Sequence, residues 1–481
     1  MPSEKNPIFE VVKQIVDELQ AHVWQRESRT IRRLGGPKKL KLERSVTKLV
    51  CNSVAVASQR ARVGDALIDL NRNNYGARNT HPNLTYSIHI ERAFQGMVEL
   101  GYLAVVRKGH YNSKQGAGQN EGKQTRYRAT EKLIGHFSAE QLDVFPAIAP
   151  VEELDVLIRV RIKDKTKKRA PALPAIRTNE VIHLEQQLRK INQVLAATWI
   201  DVARSDDEIS NVIKRKQEET GKDRSLDLTR RQLHRGFNSQ DLGAGGRFFS
   251  GFWISMPKEL RPYIVINGHP TVEIDFSRQH PTLLYALEGL DPPRDAYEGV
   301  IDRLRIDDQV DRSELRTLIK KAFNAMLNAK TVLRRPPTGI KPSKFDLKWQ
   351  DINDAILDLH NPVAQHFYTG VGLKLQRWDS DIAERVMLQF ANYGIPVLPV
   401  HDSFIVQDSF EVALRIVMND EFIVSAWHTP GLKLTGLQRT GIVESPTVDL
   451  DSFQRLMTQK TEVRLTDGNA GYERRLKAFW K

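Results

Sequence analysis

The sequence contains little cysteine and no long apolar run. Of its 481 residues only Cys51 is a cysteine, which excludes an internal disulfide and any zinc or iron–sulfur site built from several cysteines. No run approaches the roughly 20 apolar residues that a membrane-spanning helix needs. The beginning of the chain, SEKNPIFEVVKQIVDEL, is acidic and amphipathic, unlike a secretory signal. We therefore expect a globular cytoplasmic protein with a buried Cys51, no membrane contact and no disulfide-linked partner.

Acidic residues are outnumbered by basic ones. Lysine and arginine number 72 against 59 aspartates and glutamates, which gives a formal net charge of +13. An excess of this sign favours a polyanionic partner such as nucleic acid over an acidic small molecule. The length allows two or three domains, and no internal repeat divides the chain.

Residues 1–145 form the first predicted domain, in which a helix, a strand, a basic loop at residues 108–123 and a second strand follow one another. The apolar residues of the helix recur at Ile90, Ala93, Phe94, Met97 and Val98. This order resembles a winged helix-turn-helix, which implies binding of duplex DNA. Its phosphate contacts would come from Arg92, Lys108, Lys114, Lys123, Arg126 and Arg128. The alternative is a hairpin beside a helix, with solvated basic side chains.

Three further segments follow this domain. Residues 146–180 combine a strand with a basic linker that contains Pro171 and Pro174. Residues 181–235 have a helical and highly charged pattern. Residues 236–481 contain the candidate catalytic residues.

Two aspartates lie in strand-like parts of the last segment. In VEIDF, residues 272–276, apolar and polar residues alternate, so Asp275 is expected to point away from the core. The later stretch GIPVLPVHDSFIV predicts a β-hairpin with Asp402 near its tip. Each aspartate alone also fits an ordinary solvated turn. Together the two carboxylates could hold two divalent metal ions for in-line phosphoryl transfer.

A predicted helix between the two aspartates carries cations at regular spacing. In DRSELRTLIKKAFNAMLNAKT, one face presents Arg316, Lys320, Asn324 and Asn328 at intervals of four residues. Such a face is commonly just solvated. Beside two metal-binding carboxylates it would neutralise the oxygens of a triphosphate, and Lys320 would protonate the leaving pyrophosphate.

The order and spacing of these motifs resemble the palm and fingers of family A DNA polymerases and phage-type single-subunit RNA polymerases, over roughly residues 235–481. The two metal-binding aspartates of that family match Asp275, which Ser277 follows, and Asp402, which His401 precedes. The resemblance implies that these aspartates bind both metal ions. It also implies that His401 lies at the primer–template.

The resemblance extends to residues outside the two aspartate motifs. The arginine–lysine pair of the fingers helix matches Arg316 and Lys320. GGRFF resembles a Gly-Arg motif, which implies that Arg247 touches the minor groove of the primer–template. QRWDSDIAERVM resembles the helix whose glutamine reaches the template side, here Gln376, with Asp381 five residues later.

The sequence departs from the family at three positions. His280 stands five residues after Asp275, where the DNA enzymes have glutamate and the RNA enzymes have glycine. Asn328 replaces the fingers tyrosine. Ser403 follows the second aspartate, as in the RNA enzymes. These departures leave the choice between deoxynucleoside and ribonucleoside triphosphates open.

The combined prediction is an α+β protein with an N-terminal winged helix domain, a basic strand and linker, a helical thumb-like region, and a polymerase-like right hand with an antiparallel palm sheet and helical fingers. The implied function is a template-directed DNA polymerase of a plasmid, phage or mobile element. It would use two Mg²⁺ ions, or Mn²⁺, and nucleoside triphosphates. Its partners would be duplex DNA and a primer–template. It would act in the bacterial cytoplasm or nucleoid, or in a phage-infected cell. Two alternatives remain: an RNA polymerase or primase of the same fold, and a DNA-binding replication initiator or regulator with an inactive palm. The bulk of His280 favours the DNA polymerase.

Overall fold

The computed structural model describes the chain in segments. They are residues 7–22, 36–58, 66–68, 88–109, 125–143, 145, 156–161, 173–220, 226, 228, 230–276, 279–304, 306, 310–428, 448–459, 472, 473, 476 and 479. Lys114, Lys123 and Ser277 lie outside these segments.

The described residues form an α+β fold, as the sequence predicts. Helices α1–α15 are Pro7–His22, Gly36–Ser58, Ile88–Glu99, Glu131–Ile134, Ala139–Asp143, Asn179–Ala197, Asp206–Thr220, Phe252–Ser255, Gln279–Ala286, Glu298–Ile301, Arg312–Asn328, Trp349–Leu359, Gly372–Ala391, Glu411–His428 and Leu450–Thr458. Strands β1–β12 are Ala66–Ile68, Leu103–Arg107, Thr125–Ala129, Ile158–Val160, Leu173–Pro174, Ile200–Val202, His234–Phe237, Gly245–Phe249, Ile264–Ile266, His269–Asp275, Leu398–Val400 and Ser403–Gln407. None of the described helices combines the length and the apolar character required to cross a bilayer.

The described strands form three sheets. The largest has the order β11-β12-β10-β9-β6, and all its pairings are antiparallel. A second sheet has the order β5-β4-β7-β8 and contains one parallel pair, β4 with β7. The third, β1-β3-β2, is antiparallel.

The N-terminal residues have an apolar core of their own, formed by α1–α3 with β1–β3. The predicted helix and both predicted strands are confirmed as α3, β2 and β3, and Gly101 after α3 has the positive φ of 76° that favours glycine. The Tyr102 hydroxyl donates to Glu18 on α1 at 2.7 Å. Cys51, expected to be buried, is half-buried on α2. Most of the predicted basic loop at 108–123 lies outside the described residues.

A larger apolar core extends from Leu157 to Met457 and includes both remaining sheets. Strand β4, from the predicted linker, pairs with β7, and β6, from the predicted helical region, pairs with β9. Both segments therefore contribute strands to the core that also carries the two aspartates. Helix α13 is buried along much of its length and packs against α6, α9, α11, α14 and β8. It thus brings together side chains that are far apart in the sequence.

Candidate functional site

Asp275 ends strand β10, where the alternation of the sequence places it on the polar face. Ile274 and Phe276 are 5% and 3% exposed, whereas Glu273 and Asp275 reach solvent. The predicted strand and its direction are therefore confirmed. Its other face packs into the core, which fixes the position of the Asp275 carboxylate.

Asp402 lies in the tip of the predicted hairpin, which is confirmed as β11 and β12. Val400 pairs with Ser403, so His401 and Asp402 form a two-residue loop. His401 has a φ of 62°, in the left-handed region that favours glycine at the first central position of such a turn. A histidine held there is strained, and strained residues are concentrated at functional sites.

The pairing of β10 with β12 brings the two aspartates together. Asp275 lies opposite Ser403 in the ladder, and the backbone N–H of Phe276 donates to the carbonyl of Asp402 at 3.3 Å. Residues paired in this way have Cα atoms about 4.5–5.5 Å apart. Two residues separated by 127 positions, as the numbers 275 and 402 give, thus become near neighbours.

The pKa of the Asp275 carboxyl reflects the proximity of Asp402. Partial burial, and after it the negative charge of Asp402, raise the pKa of the Asp275 carboxyl to about 6. The positive charge of Lys320 acts against this shift, and Glu273 adds to it. A cation bound beside both carboxylates would favour the ionised form of Asp275.

Glu273 is a neighbour of the aspartates that sequence analysis did not identify. Its Oε1 accepts a hydrogen bond from the Ser403 hydroxyl at 2.6 Å and lies 3.3 Å from Nη1 of Arg261. The alternation of β10 could have indicated it, because positions 273 and 275 share a face. Glu273 links the two aspartate-bearing strands through Ser403.

Asp275 and Asp402 are the residues that could hold a divalent cation such as Mg²⁺. No three His, Cys, Asp or Glu side chains gather into a metal-binding group within the part of the chain that is described. Mg²⁺ is commonly held by one or two carboxylates together with water and substrate phosphates. Asp275 and Asp402 would supply the two carboxylates.

The metal hypothesis predicts a change in how stability depends on pH. Because the folded-state pKa of Asp275, about 6, exceeds the unfolded value near 3.8, folding favours its protonated form. Its contribution to stability is therefore lost as pH rises through about 6. Mg²⁺ should bind the ionised pair and offset this loss.

Thermal unfolding of the wild type between about pH 5 and pH 7.5, with and without Mg²⁺, measures the effect. We expect Mg²⁺ to raise the melting temperature more at the higher pH. The Asp275→Asn variant is the control, and its melting temperature should respond weakly to Mg²⁺. An equal response of both proteins would contradict binding at Asp275.

The predicted cationic helix is confirmed as α11. Asp311 caps it by accepting from the backbone N–H groups of Ser313 and Glu314 at 2.9 and 3.1 Å. Its apolar stripe is buried, and Lys320 is exposed on the other side. The positive charge of Lys320 acts to lower the pKa of the Asp275 carboxyl, so α11 brings this charge within electrostatic range of Asp275.

The other predicted members of the α11 face have protein partners. Arg316 donates to Asp295 at 2.7 Å and lies over the ring of Tyr297. Asn328 donates its side-chain N–H to the carbonyl of Asn324 at 2.8 Å. A nucleotide that used Arg316 would therefore have to replace Asp295 as its partner.

A buried arginine holds Arg247 in place. The fully buried Arg235 donates to the carbonyl of Gly246 at 2.8 Å and pairs with Asp381 and Glu384 on α13 at 2.9 and 3.0 Å. Gly246 has a φ of 90°, and a Cβ there would lie 3.0 Å from Nη2 of Arg235. Strand β8 is thereby fixed against α13.

Arg247, His280 and Asp379 form a polar cluster. Nη2 of Arg247 donates to Oδ2 of Asp379 at 3.2 Å, and Nε2 of His280 lies 3.6 Å from the same oxygen. His280 belongs to α9, which begins at Gln279 and so places Pro281 in its first turn, where the missing N–H costs nothing. Asp379 is only 1% exposed.

His401 joins this cluster to the aspartate pair. Partial burial and then the positive charge of Arg247 lower the pKa of the His401 imidazole, whereas Asp402 and Asp379 act in the opposite direction. Gln376 is half-buried on α13, and its carbonyl accepts from the Ser380 hydroxyl at 2.6 Å. Arg247 and His280 are thus linked through Asp379, and the charges of Arg247, Asp379 and Asp402 all act on His401.

Asp379 and Arg235 were missed by sequence analysis. Both form ion pairs with residues more than one hundred positions away, so no local pattern indicates the partner. The only signal was an acidic residue within the otherwise amphipathic stretch QRWDSDIAERVM. Its burial could not be distinguished from a solvated helix face.

Of the predicted DNA-contacting residues of the N-terminal domain, Arg92 lies on α3, Arg126 and Arg128 lie on β3, and Lys108 directly follows β2. Lys108 and Arg128 are exposed, and Arg92 and Arg126 are partly buried. Lys114 and Lys123 lie outside the described residues.

No protein-family model matches this chain, and neither the curated proteins nor the solved structures include a match.

Proposed function

We propose that the chain is a template-directed nucleic-acid polymerase, of the DNA polymerase type, that transfers nucleotides with two Mg²⁺ ions. The observation that carries this proposal is the meeting of Asp275 and Asp402 across β10 and β12, with Lys320 close enough to act on Asp275. The resemblance of the motif order to the palm and fingers of family A DNA polymerases and phage-type RNA polymerases supports it. So does the net charge of +13, which suits a nucleic-acid partner.

In the proposed reaction, the primer 3′-hydroxyl attacks the α-phosphorus of a nucleoside triphosphate and pyrophosphate leaves. Asp275 and Asp402 would hold the metal ions, whose chemistry is to activate the hydroxyl and stabilise the charge on the phosphate oxygens. Lys320 would neutralise the triphosphate and give a proton to the pyrophosphate. Arg316, Asn324 and Asn328 would position the nucleotide.

The template and primer would lie on the side of the cluster formed by Arg247, His280 and Asp379. Arg247 and His401 would contact the minor groove at the primer end, and Gln376 the template. The burial of Asp379 supports this assignment, because a guanidinium held by a buried carboxylate is well ordered. Ordered donors discriminate better than mobile ones.

Primer extension with purified protein tests the proposal. A labelled primer–template is incubated with Mg²⁺ and either the four dNTPs or the four NTPs. Template-dependent extension with dNTPs supports the DNA polymerase, and extension confined to NTPs supports the RNA polymerase. If the primer is not extended with either set of nucleotides, in Mg²⁺ or in Mn²⁺, the result supports the DNA-binding initiator with an inactive palm.

The N-terminal residues are proposed to bind duplex DNA in the manner of a winged helix. Helix α3 and the antiparallel pair β2–β3 have the order that such a module requires, and their separate apolar core supports independent folding. A fragment of residues 1–145 should therefore bind duplex DNA with an affinity that falls steeply with salt.

Removing one phosphate contact should reduce that salt dependence. We expect Arg128→Ala to lower the slope of log affinity against log salt by about 1. The control is Lys39→Ala on α2, where Lys39 is paired with Glu43. If the folded fragment has no affinity for duplex DNA at low salt, this domain has a different partner.

A further inference from the structure

The carboxylate of Asp379 is a buried group that lies between the side chains of Arg247 and His280. It lies on α13 and is 1% exposed, with Arg247 of β8 at 3.2 Å and His280 of α9 at 3.6 Å. Its second oxygen, Oδ1, has no hydrogen-bond partner among the described residues. Burying a carboxylate is costly unless cations and hydrogen bonds compensate it, so such a group strongly orients its neighbours.

The imidazole of His280 faces Asp379 with one defined nitrogen. Nε2 is buried, has no hydrogen-bond partner among the described residues and lies nearest to Oδ2 of Asp379, while about 20% of the side chain remains exposed. A carboxylate beside Nε2 favours a proton on that nitrogen, which fixes the tautomer and leaves Nδ1 for other contacts. The separation of 3.6 Å is long for a hydrogen bond, and contacts in substrate-free sites often shorten when substrate binds.

We propose that Asp379 is the positioning residue for selection of the nucleotide sugar, because it fixes the orientation and tautomer of His280. This inference rests on the proposed polymerase function. His280 would be the group that meets the sugar, and Asp379 would act only through it. Arg247, which donates to the same oxygen of Asp379, would hold the carboxylate in place.

The proposal explains why a histidine can serve in sugar selection. A free imidazole has two tautomers and can rotate, so alone it would discriminate weakly between two sugars that differ in one hydroxyl. Held by a buried carboxylate, it presents one face and one nitrogen to the nucleotide. Sites that hold a polar group in a fixed position discriminate far better than adaptable ones.

Steady-state kinetics with a dNTP and the matching NTP test the role of Asp379. The ratio of the two kcat/KM values should change about tenfold or more in Asp379→Asn, because a contact to a charged group is lost. The ratio in the double variant Asp379→Asn/His280→Ala should equal that of His280→Ala alone. Asp379→Glu, which keeps the charge, should restore part of the wild-type ratio.

A control comes from a carboxylate outside this network. Asp358→Asn on α12 removes a carboxylate that pairs with Arg303 and with neither Arg247 nor His280, so it should leave the ratio unchanged. An unchanged ratio in Asp379→Asn, or additive effects of the two substitutions, would overturn the proposal. A wild type that extends no primer would overturn the polymerase function itself.

A second measurement needs no activity. In ¹⁵N-histidine-labelled full-length protein, the His280 signals, identified by their loss in His280→Ala, should be those of a ring protonated at Nε2. In Asp379→Asn they should shift toward a mixture of tautomers. Identical signals in both proteins would show that Asp379 does not control the imidazole, whether or not the protein is a polymerase.

Discussion

Replacing Asp275 or Asp402 by asparagine should reduce nucleotide addition by about three orders of magnitude or more, because stabilisation of transition-state charge by bound metal supplies several kcal/mol. Asparagine keeps the size of the side chain but cannot neutralise a metal ion. The substitution should leave DNA binding intact, since the basic residues expected to contact DNA lie on other elements. Single-turnover primer extension and a separate duplex-binding assay measure the two effects.

The fold should tolerate the change at Asp275. Its carboxyl has a raised pKa, so removing the charge relieves repulsion with Asp402, and Asp275→Asn should be at least as stable as the wild type at neutral pH. Asp408→Asn, at the exposed far end of β12, is the matched control and should keep full activity. Wild-type rates in either site variant would rule out two-metal catalysis at this pair.

The second large effect is expected for Lys320→Ala, which should slow incorporation about 100- to 1000-fold, because loss of one preorganised group that stabilises transition-state charge costs about 3–4 kcal/mol. Lys320 is exposed, so its removal should cost little stability. The loss should appear in the single-turnover rate at saturating nucleotide more than in nucleotide affinity, since the charge it meets develops as pyrophosphate leaves.

A lysine beside the same helix offers the control. Lys344→Ala removes an equal charge where Lys344 pairs with Glu314, near the start of α11. We expect this variant to keep most of its single-turnover rate. Equal losses in the two variants would indicate a general attraction of the helix for anions and not a specific role of Lys320.

The sequence indicated those elements whose periodicity is set by a single buried face. Strand β10, the β11–β12 hairpin and helix α11 all follow from alternation or from a 3.6-residue stripe, because burial of one face is the force that forms them. The same patterns place Asp275, Asp402 and Lys320 on the polar side. They also located α3, β2 and β3 near the N-terminus.

These local patterns could not indicate contacts between distant segments of the chain. Asp379 is buried in α13 only because Arg247 and His280 come from two other elements to meet it. Arg235 is buried through partners on the same helix. The pairing of Arg316 with Asp295 likewise depends on how α11 packs beside α10. Such pairs are decided by tertiary packing, which no local spacing encodes.

The β10–β12 ladder also determines when the carboxylate pair can exist during folding. Asp275 and Asp402 are far apart in the chain, and the ladder is what aligns them, so the pair forms only after a long-range closure that is slow compared with local hairpins. The hairpin of Asp402 can form early by itself, but its docking onto β10 must come later. Amide hydrogen exchange at Phe276 would follow that docking step, since its N–H is bonded to the carbonyl of Asp402. Any partial opening that frees this amide also separates the two carboxylates, so the carboxylate pair is lost before most of the fold.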